Sequence, residues 1–388
     1  MGRRAPRSAA GNTDAVLTRL RRHCRVLWIA VLGLIFSGAL LLAPLWSWPE
    51  AARWAAQACA VWAWVFIRLE TLLDLNRHPT DNRLRPSLGV ANMMTVGRAA
   101  LVAALAGFLF QNVFSNALVW LTWIPGGLYL IAALMDAGDG WVARATGSET
   151  RLGEALDTEI DAMGILIASL LLVSGGKTPI VFASVGLGYY AVRAASRLRS
   201  WMGHTIVRIQ PRPGARWMAG CQMGFAAAAL LPVFSPNATF PAAYVMTAPF
   251  LAGMATDWLI ICGRAAPDGR PQQPRLAAWQ AAASRALPLF LRPFVAIGTV
   301  LFISRPCPAG EPSFMLIILI LGLLCALGVA ARLAAMILSV ILAGLMSAGW
   351  GDAGATIVLM SALSLMMTGA GHPRIWQPED KFFFKKRP

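Results

Sequence analysis

The chain has 388 residues, of which 57% are hydrophobic and 13% are charged, with a formal net charge of +16 and a mean hydropathy of +0.60. This composition excludes a soluble globular protein and predicts an all-α polytopic membrane protein. The positive charge does not favour nucleic acid as a partner, because the basic residues fall in short blocks between apolar runs, where they orient membrane proteins. We expect membrane lipid and a phosphate-rich substrate as partners instead.

Repeated apolar runs predict about twelve membrane spans, each crossing about 30 Å of hydrocarbon. They form an N-terminal hairpin, a six-helix core and a C-terminal four-helix region. The predicted domains are a basic cytoplasmic tail at residues 1–25, a transmembrane hairpin at 26–71, the core at 86–262, a cytoplasmic linker at 263–287 and the four-helix domain at 288–388.

The distribution of arginine predicts which side of the membrane faces the cytoplasm. Four arginine-rich segments alternate with the spans so that all fall on one side, at residues 1–25, 72–89, 193–216 and 264–285. By the positive-inside rule, both termini are therefore cytoplasmic. The expected location is the inner membrane of a bacterium.

Four aspartates cluster where the second core span ends and the third begins. Asp136 and Asp139 are three residues apart, and Asp157 and Asp161 are four apart, so each pair shares one face if its segment is helical. Clustered carboxylates repel one another unless a cation lies among them. Because oxygen ligands suit Mg²⁺ or Mn²⁺, the pattern predicts a site for one or two such ions near the cytoplasmic face.

Neighbouring residues favour a bulky phosphorylated ligand at this hairpin. Gly140 and Ala143 remove side-chain bulk beside the first aspartate pair, so a ligand can approach the backbone. Arg144 adds a guanidinium whose donors suit phosphate. Glu159 lies between Asp157 and Asp161 in sequence and is expected to point away from the face that holds the metal. Glu154 is three residues before Asp157, and its spacing does not decide whether it is a metal ligand.

The first core span carries Asn92, Thr95 and Arg98 at helical spacing. Unpaired polar groups are costly at membrane depth, so these side chains are expected to face the interior of the helix bundle. Two interpretations follow. The residues line a ligand site, or they make interhelical hydrogen bonds that only hold the bundle together.

The order of these residues resembles the complete signature of the CDP-alcohol phosphatidyltransferase family. It runs Asp136, two residues, Asp139 and Gly140, two residues, Ala143 and Arg144, eight residues, Gly153, three residues, Asp157, three residues and Asp161. The resemblance implies transfer of a phosphatidyl group from CDP-diacylglycerol to an alcohol, with release of CMP, in phospholipid biosynthesis. Homodimers are common in that family, and a homodimer is expected.

The resemblance also implies roles for individual residues. The four aspartates would bind the metal ions, and Asp161 would be the base that removes the proton of the attacking hydroxyl. The residues expected to bind the nucleotide are Gly140, Ala143, Arg144, Gly153, Asn92, Thr95 and Arg98.

The acceptor alcohol and the C-terminal region stay open at this level. Glycerol phosphate, inositol phosphate, serine and choline are acceptors that share the signature. The basic loop after the fourth core span favours a phosphorylated or polyhydroxy acceptor, with Arg193 as a phosphate ligand, although orientation of the protein also explains most of the loop. The C-terminal four helices resemble the DoxX-type membrane domain, and a generic accessory bundle is the alternative.

Two other classes of protein are compatible with intramembrane carboxylates. A divalent-cation transporter would more often place them near the bilayer midplane. A non-catalytic lipid-binding scaffold would usually have lost a residue of the signature, and none is missing. The pattern therefore favours an enzyme.

Overall fold

The structure is a computed structural model that describes residues 7–80, 83–114, 118–207, 209, 213–265, 274–304, 312–346, 353–369 and 371. Within these residues the chain forms twelve α-helices and no β-strand. An isolated antiparallel bridge joins Arg77 and Leu84. The all-α class predicted from the composition is confirmed.

The helices follow the apolar runs of the sequence. In chain order they are α1 (Arg7–Leu42), α2 (Trp48–Leu72), α3 (Gly89–Ala106), α4 (Trp123–Thr146), α5 (Arg151–Ser174), α6 (Ala183–Trp201), α7 (Pro213–Leu230), α8 (Pro236–Ile261), α9 (Pro274–Ile303), α10 (Pro312–Leu327), α11 (Ala331–Leu345) and α12 (Ala353–Thr368). Short 3₁₀ turns follow α2 at Leu73–Leu75 and precede α4 at Val119–Thr122.

Among the residues that the structure describes, five helical segments are long and apolar enough to cross a membrane by length and composition. They are Asp14–Leu42, Gly89–Ala106, Val119–Asp136, Pro236–Ile261 and Ala286–Ile303. Large apolar side chains such as Leu34 and Ile131 are exposed on these helices, which suits contact with lipid rather than water. The helices support the predicted integral membrane protein.

Two helices begin earlier than the apolar runs predicted. The first, α1, begins at Arg7 inside the predicted basic tail, and α9 begins at Pro274 inside the predicted linker. Alanine and arginine have high helix propensity, and proline is favourable in the first turn of a helix. Such residues continue a helix beyond its apolar part, which a search for apolar runs does not detect.

The domain limits and the DoxX-type resemblance stay predictions.

The first of two compact units contains Met1–Lys177 and Met223–Val233. It includes α1 to α5 and the second part of α7. The buried ammonium of Lys177 donates to the carbonyl oxygens of Ala229 at 3.1 Å and Leu231 at 2.7 Å. These bonds satisfy carbonyl groups that the C-terminus of α7 leaves without helical partners, and a positive charge is favourable at that end.

The second compact unit contains Thr178–Gln222 and Phe234–Pro388. Within it, the amide of Gln222 donates to the backbone oxygen of Met246 in α8 at 2.6 Å. A Cβ at Gly188 of α6 would lie 2.6 Å from the ring of Phe250 in α8. Glycine therefore allows α6 and α8 to pack closely in this unit.

We expect Gly107→Ala to destabilise the protein at the contact between α2 and the end of α3. A Cβ at Gly107 would lie 2.7 Å from the backbone oxygen of Trp54, which is buried. Overpacking of this kind costs about 1–3 kcal/mol, which a lower thermal unfolding temperature in detergent would report. Gly127→Ala is the control, because no described residue packed against α4 comes within 4 Å of the added methyl. An equal loss in both variants would contradict the explanation.

Candidate active site

A tight connection between α4 and α5 fixes where α5 begins. Gly147 has φ of +58°, in the left-handed region that favours glycine. The hydroxyl of Thr150 accepts a hydrogen bond from the backbone nitrogen of Gly153 at 3.0 Å, which is the usual N-terminal cap of a helix. With this start, Asp157 and Asp161 lie one turn apart on one face of α5.

Three of the four predicted metal ligands come together at the meeting of α3, α4 and α5. Oxygen atoms of Asp136, Asp157 and Asp161 lie within 4.8 Å of one another. Arg98 of α3 lies among them and donates to Asp136 and Asp157, and its Nη2 is 3.0 Å from Oδ1 of Asp161. The guanidinium is thus the centre of the carboxylate cluster.

Within the cluster, the arginine side chain is buried and the aspartate side chains are partly exposed to solvent. The side chain of Arg98 is 2% exposed, whereas those of Asp136, Asp157 and Asp161 are 29%, 38% and 36% exposed. A buried guanidinium needs anionic partners because an unpaired charge in an apolar bundle is very costly. The aspartates meet that need and remain accessible to a ligand.

The donor set fits a divalent cation. One guanidinium against three carboxylates leaves an excess of negative charge at the cluster. Partly exposed oxygen atoms with that excess are the ligands that Mg²⁺ and Mn²⁺ prefer. The described aspartates could therefore hold such an ion in addition to Arg98.

Four other residues of the signature have a described backbone only. The helix α4 continues through Asp139, Gly140, Ala143 and Arg144, but their side chains lie outside the described part of the chain. Their predicted roles in binding metal and nucleotide stay predictions.

Asn92 of α3 makes contacts inside the protein. Its Nδ2 donates to Thr150 Oγ1 at 3.0 Å and to Asn76 Oδ1 at 3.3 Å, and the Thr150 hydroxyl lies 3.2 Å from Asn92 Oδ1. The hydroxyl of Thr95 donates to the backbone oxygen of Ala91 in its own helix at 3.1 Å. The interhelical hydrogen bonds that were one interpretation of the sequence are present at Asn92. Nucleotide binding by Asn92 and Thr95 stays a prediction.

The hydrogen bonds of Asn92 and Thr150 explain why residue 153 is a glycine. A Cβ at Gly153 would clash with Oδ1 of Asn92 and would lie 3.3 Å from Oγ1 of Thr150. The missing side chain lets α3 approach the first turn of α5. Its predicted contact with the nucleotide stays a prediction.

Arg193 lies in α6, in the second compact unit. It is exposed, and its Nη1 donates to the hydroxyl of Tyr189 at 2.7 Å. Its guanidinium carbon is 5.9 Å from the centroid of the Tyr189 ring. Its predicted role toward the acceptor stays a prediction.

An ion pair that the sequence did not predict lies behind the carboxylates. Glu159 is buried and bonds to Arg68 of α2 through both of its oxygens. Glu159 is absent from the carboxylate cluster, as the helical register predicted. Sequence analysis missed the partner because Arg68 stands near the end of an apolar run, where long side chains usually reach the headgroups.

Tyr129 of α4 is a second residue that the sequence analysis missed. It is 2% exposed, and its hydroxyl has no hydrogen-bond partner among the described residues. The Tyr129 side chain interacts electrostatically with the carboxylates of Asp161 and Asp136. Its ring lies near Gly164 of α5. The sequence does place Tyr129 seven residues before Asp136, which is two helical turns away on the same face of α4. That spacing could have identified Tyr129 as a neighbour of the carboxylate cluster.

Comparison with known proteins links the core to a family. Residues 88–259 match the family model described as CDP-alcohol phosphatidyltransferase, and this match confirms the resemblance predicted from the sequence. The chain is 29% identical over 106 residues to the CDP-diacylglycerol–glycerol-3-phosphate 3-phosphatidyltransferase of Cereibacter sphaeroides. That alignment covers 27% of this chain and 48% of the relative, so the chain spans about half the length of this curated protein. No solved structure gives a significant match.

Both matches are to phosphatidyltransferases. The matched residues 88–259 include Asp136, Asp157 and Asp161 of the carboxylate cluster.

We expect Arg98→Gln to make stability depend on divalent cations. The change removes the guanidinium from three carboxylates, which then repel one another. Breaking a fully buried ion pair costs about 3–5 kcal/mol, and we expect a smaller loss here because the aspartates are partly exposed. Thermal unfolding in detergent should show the loss in EDTA and a partial recovery in Mn²⁺, since the ion supplies the missing positive charge. Arg197→Gln is the control because Arg197 is exposed. A response to Mn²⁺ no larger than that of the unaltered protein would contradict the role given to Arg98.

We also expect Gly153→Ala to destabilise the start of α5. The added methyl displaces Oδ1 of Asn92 and leaves buried polar groups without partners, at a cost of about 1–3 kcal/mol. Thermal unfolding in detergent measures the effect. Gly97→Ala of α3 is the matched control, because its methyl would meet Met135 at an ordinary 3.5 Å. A stable Gly153→Ala variant would show that the Asn92 network does not need the glycine.

Proposed function

We propose that the protein transfers a phosphatidyl group from CDP-diacylglycerol to an alcohol and releases CMP. The observation that carries this proposal is the convergence of Asp136, Asp157 and Asp161 within 4.8 Å, at the positions that the family signature specifies. The family match over residues 88–259 supports the reaction class. CDP-diacylglycerol is the proposed donor because the printed name of the curated relative contains it.

The proposed cofactor is one or two Mg²⁺ or Mn²⁺ ions held by Asp136, Asp139, Asp157 and Asp161. When bound, such ions neutralise charge on the diphosphate oxygens and on the departing CMP. Asp136, Asp157 and Asp161 can receive them because their carboxylates are partly exposed. Arg98 contacts these three carboxylates from the buried side.

The chemical step is a displacement at phosphorus. The acceptor hydroxyl loses its proton to the carboxylate of Asp161, and its oxygen forms a bond to the phosphorus of the phosphatidyl group. The bond between that phosphorus and the CMP oxygen breaks, and CMP leaves with its electron pair. A carboxylate bound tightly to a metal is a poor base, so Asp161 is proposed to be the least tightly coordinated aspartate.

The nucleotide is proposed to lie beside the first aspartate pair. Small side chains give the CDP portion room to approach the helix, and arginine suits its diphosphate. The residues proposed to contact the nucleotide are Gly140, Ala143, Arg144, Gly153, Asn92, Thr95 and Arg98.

The first acceptor to test is glycerol 3-phosphate. The printed name of the curated relative contains this alcohol, and the basic segment around Arg193 suits a phosphorylated acceptor. The active site and both termini are proposed to face the cytoplasm of a bacterium, since the arginine-rich segments share one side of the predicted topology. A homodimer is proposed from the family resemblance.

The test is CMP release by purified protein in detergent, with CDP-diacylglycerol, Mn²⁺ or Mg²⁺, and a panel of alcohols. We expect metal-dependent release with one acceptor, and none with Asp157→Ala. Asp161→Asn should lower turnover by about 10²–10⁴-fold, the usual contribution of a general base, while Mn²⁺ still binds.

The matched control is Glu149→Gln, which neutralises an exposed carboxylate in the connection before α5. It should keep the turnover of the unaltered protein. Near-normal turnover by Asp161→Asn would contradict the role of Asp161 as base. No CMP release with any alcohol, by folded protein that binds Mn²⁺, would contradict the reaction itself.

A further inference from the structure

A bidentate ion pair connects the N-terminal hairpin to the helix that carries two of the clustered aspartates. Arg68 of α2 donates from Nε and Nη2 to the two oxygens of Glu159 on α5, at 2.6 Å and 2.5 Å. The side chains are 29% and 10% exposed. Two parallel bonds fix direction as well as distance, so the pair constrains how α5 is turned relative to α2.

Glu159 lies on the face of α5 opposite to the clustered aspartates. It is two residues from Asp157 and two from Asp161, which puts it on the opposite face of the helix. Arg98 contacts the aspartates on one face, and Arg68 holds Glu159 on the other. A rotation of α5 about its own axis would have to break one of these ion pairs. The direction of both aspartates therefore depends on Arg68.

Adhesion between the two helices does not by itself require a buried ion pair. Apolar residues of similar volume hold two helices together at least as well, because they avoid the cost of removing charges from water. The helix α2 already buries Trp62 and Val65 close to Arg68 in sequence. What the ion pair adds is a fixed orientation.

The segment after α2 contacts α5 at a second point. The backbone nitrogen of Arg151, the first residue of α5, donates to the oxygen of Arg77 at 3.0 Å. Asn76 joins the same region through Asn92 and Thr150. Both Arg68 and Arg77 precede residue 88, where the match to the family model begins. The N-terminal hairpin thus supports α5 from outside the region matched to the family.

We propose that Arg68 is a positioning residue for the metal-binding carboxylates of α5 and acts through Glu159. The N-terminal hairpin is then part of the support of the site. The identity of the ion and the reaction rest on the proposed function, whereas the ion pair itself does not. Groups that orient metal ligands without touching the metal typically change metal affinity or activity by about 10–100-fold when altered.

The experiment measures Mn²⁺ affinity by electron paramagnetic resonance, and CMP release, on the full chain in detergent. Arg68→Gln and Glu159→Gln should each weaken Mn²⁺ binding by about 10-fold or more and lower kcat, with a smaller change in KM for CDP-diacylglycerol. Arg68→Lys keeps the charge but loses the bidentate geometry, so its loss should be intermediate. The exchange Arg68→Glu with Glu159→Arg should restore most of the affinity.

Two controls separate positioning from other effects of mutation. Arg25→Gln breaks the pair that Arg25 makes with Glu70 of α2 at 3.9 Å, where the side chains are 67% and 28% exposed. Such a surface pair contributes little, so Mn²⁺ affinity should not change. Gly107→Ala should lower the unfolding temperature and keep Mn²⁺ affinity, which separates lost stability from lost positioning.

Unchanged Mn²⁺ affinity in folded Arg68→Gln would overturn the inference. So would a loss of affinity in Gly107→Ala that matches the loss in Arg68→Gln. If Arg68→Gln fails to fold, the test is the Arg68→Lys variant. Mn²⁺ affinity in Arg68→Lys equal to that of the unaltered protein would also overturn the inference. Unaltered protein that binds Mn²⁺ and releases no CMP with any alcohol would overturn the proposed function alone, because the affinity measurement does not depend on turnover.

Discussion

A guanidinium buried in an apolar helix bundle must have anionic partners, and the first compact unit is built around that constraint. Arg98 enters from α3, and its partners come from α4 and α5. Because none of these helices could bury its charged group alone without a large cost, the charges make the three helices interdependent. The cluster then exposes carboxylate oxygens on its open side, where the proposed divalent cation would bind.

The helices could be predicted from the sequence because the length of an apolar run is set by the thickness of the membrane. Helix ends could not, since helices continue through polar residues that have high helix propensity. The starts at Arg7 and Pro274 are examples, because both lie in basic segments where no apolar run is present. Topology in the membrane is inferred from the charge bias between loops, and the predicted orientation stays a prediction.

Aspartate spacing was sufficient to predict that Asp157 and Asp161 share a face of α5, because residues three or four apart share a helical face. Asp136 joins them in the described cluster, whereas the predicted part of Asp139 stays a prediction. The partner of a polar side chain depends on contacts between distant segments, which spacing does not specify. Sequence analysis therefore placed Asn92 and Arg98 at a buried site, but could not predict that Asn92 bonds to Thr150 or that Arg98 lies among the aspartates. It likewise excluded Glu159 from the cluster without identifying Arg68 as its partner.

The described ion pairs of the site join residues between Arg68 and Asp161, and this has a consequence for biosynthesis. Chains grow from the N-terminus at about 5–20 residues per second, so α5 is complete many seconds before α9 to α12 have been made. Arg98 thus enters the membrane first, and the aspartates reach it as soon as α5 follows. Arg98 can pair with its carboxylates while the ribosome is still at work, so α3 need not hold an unpaired guanidinium against lipid until translation ends.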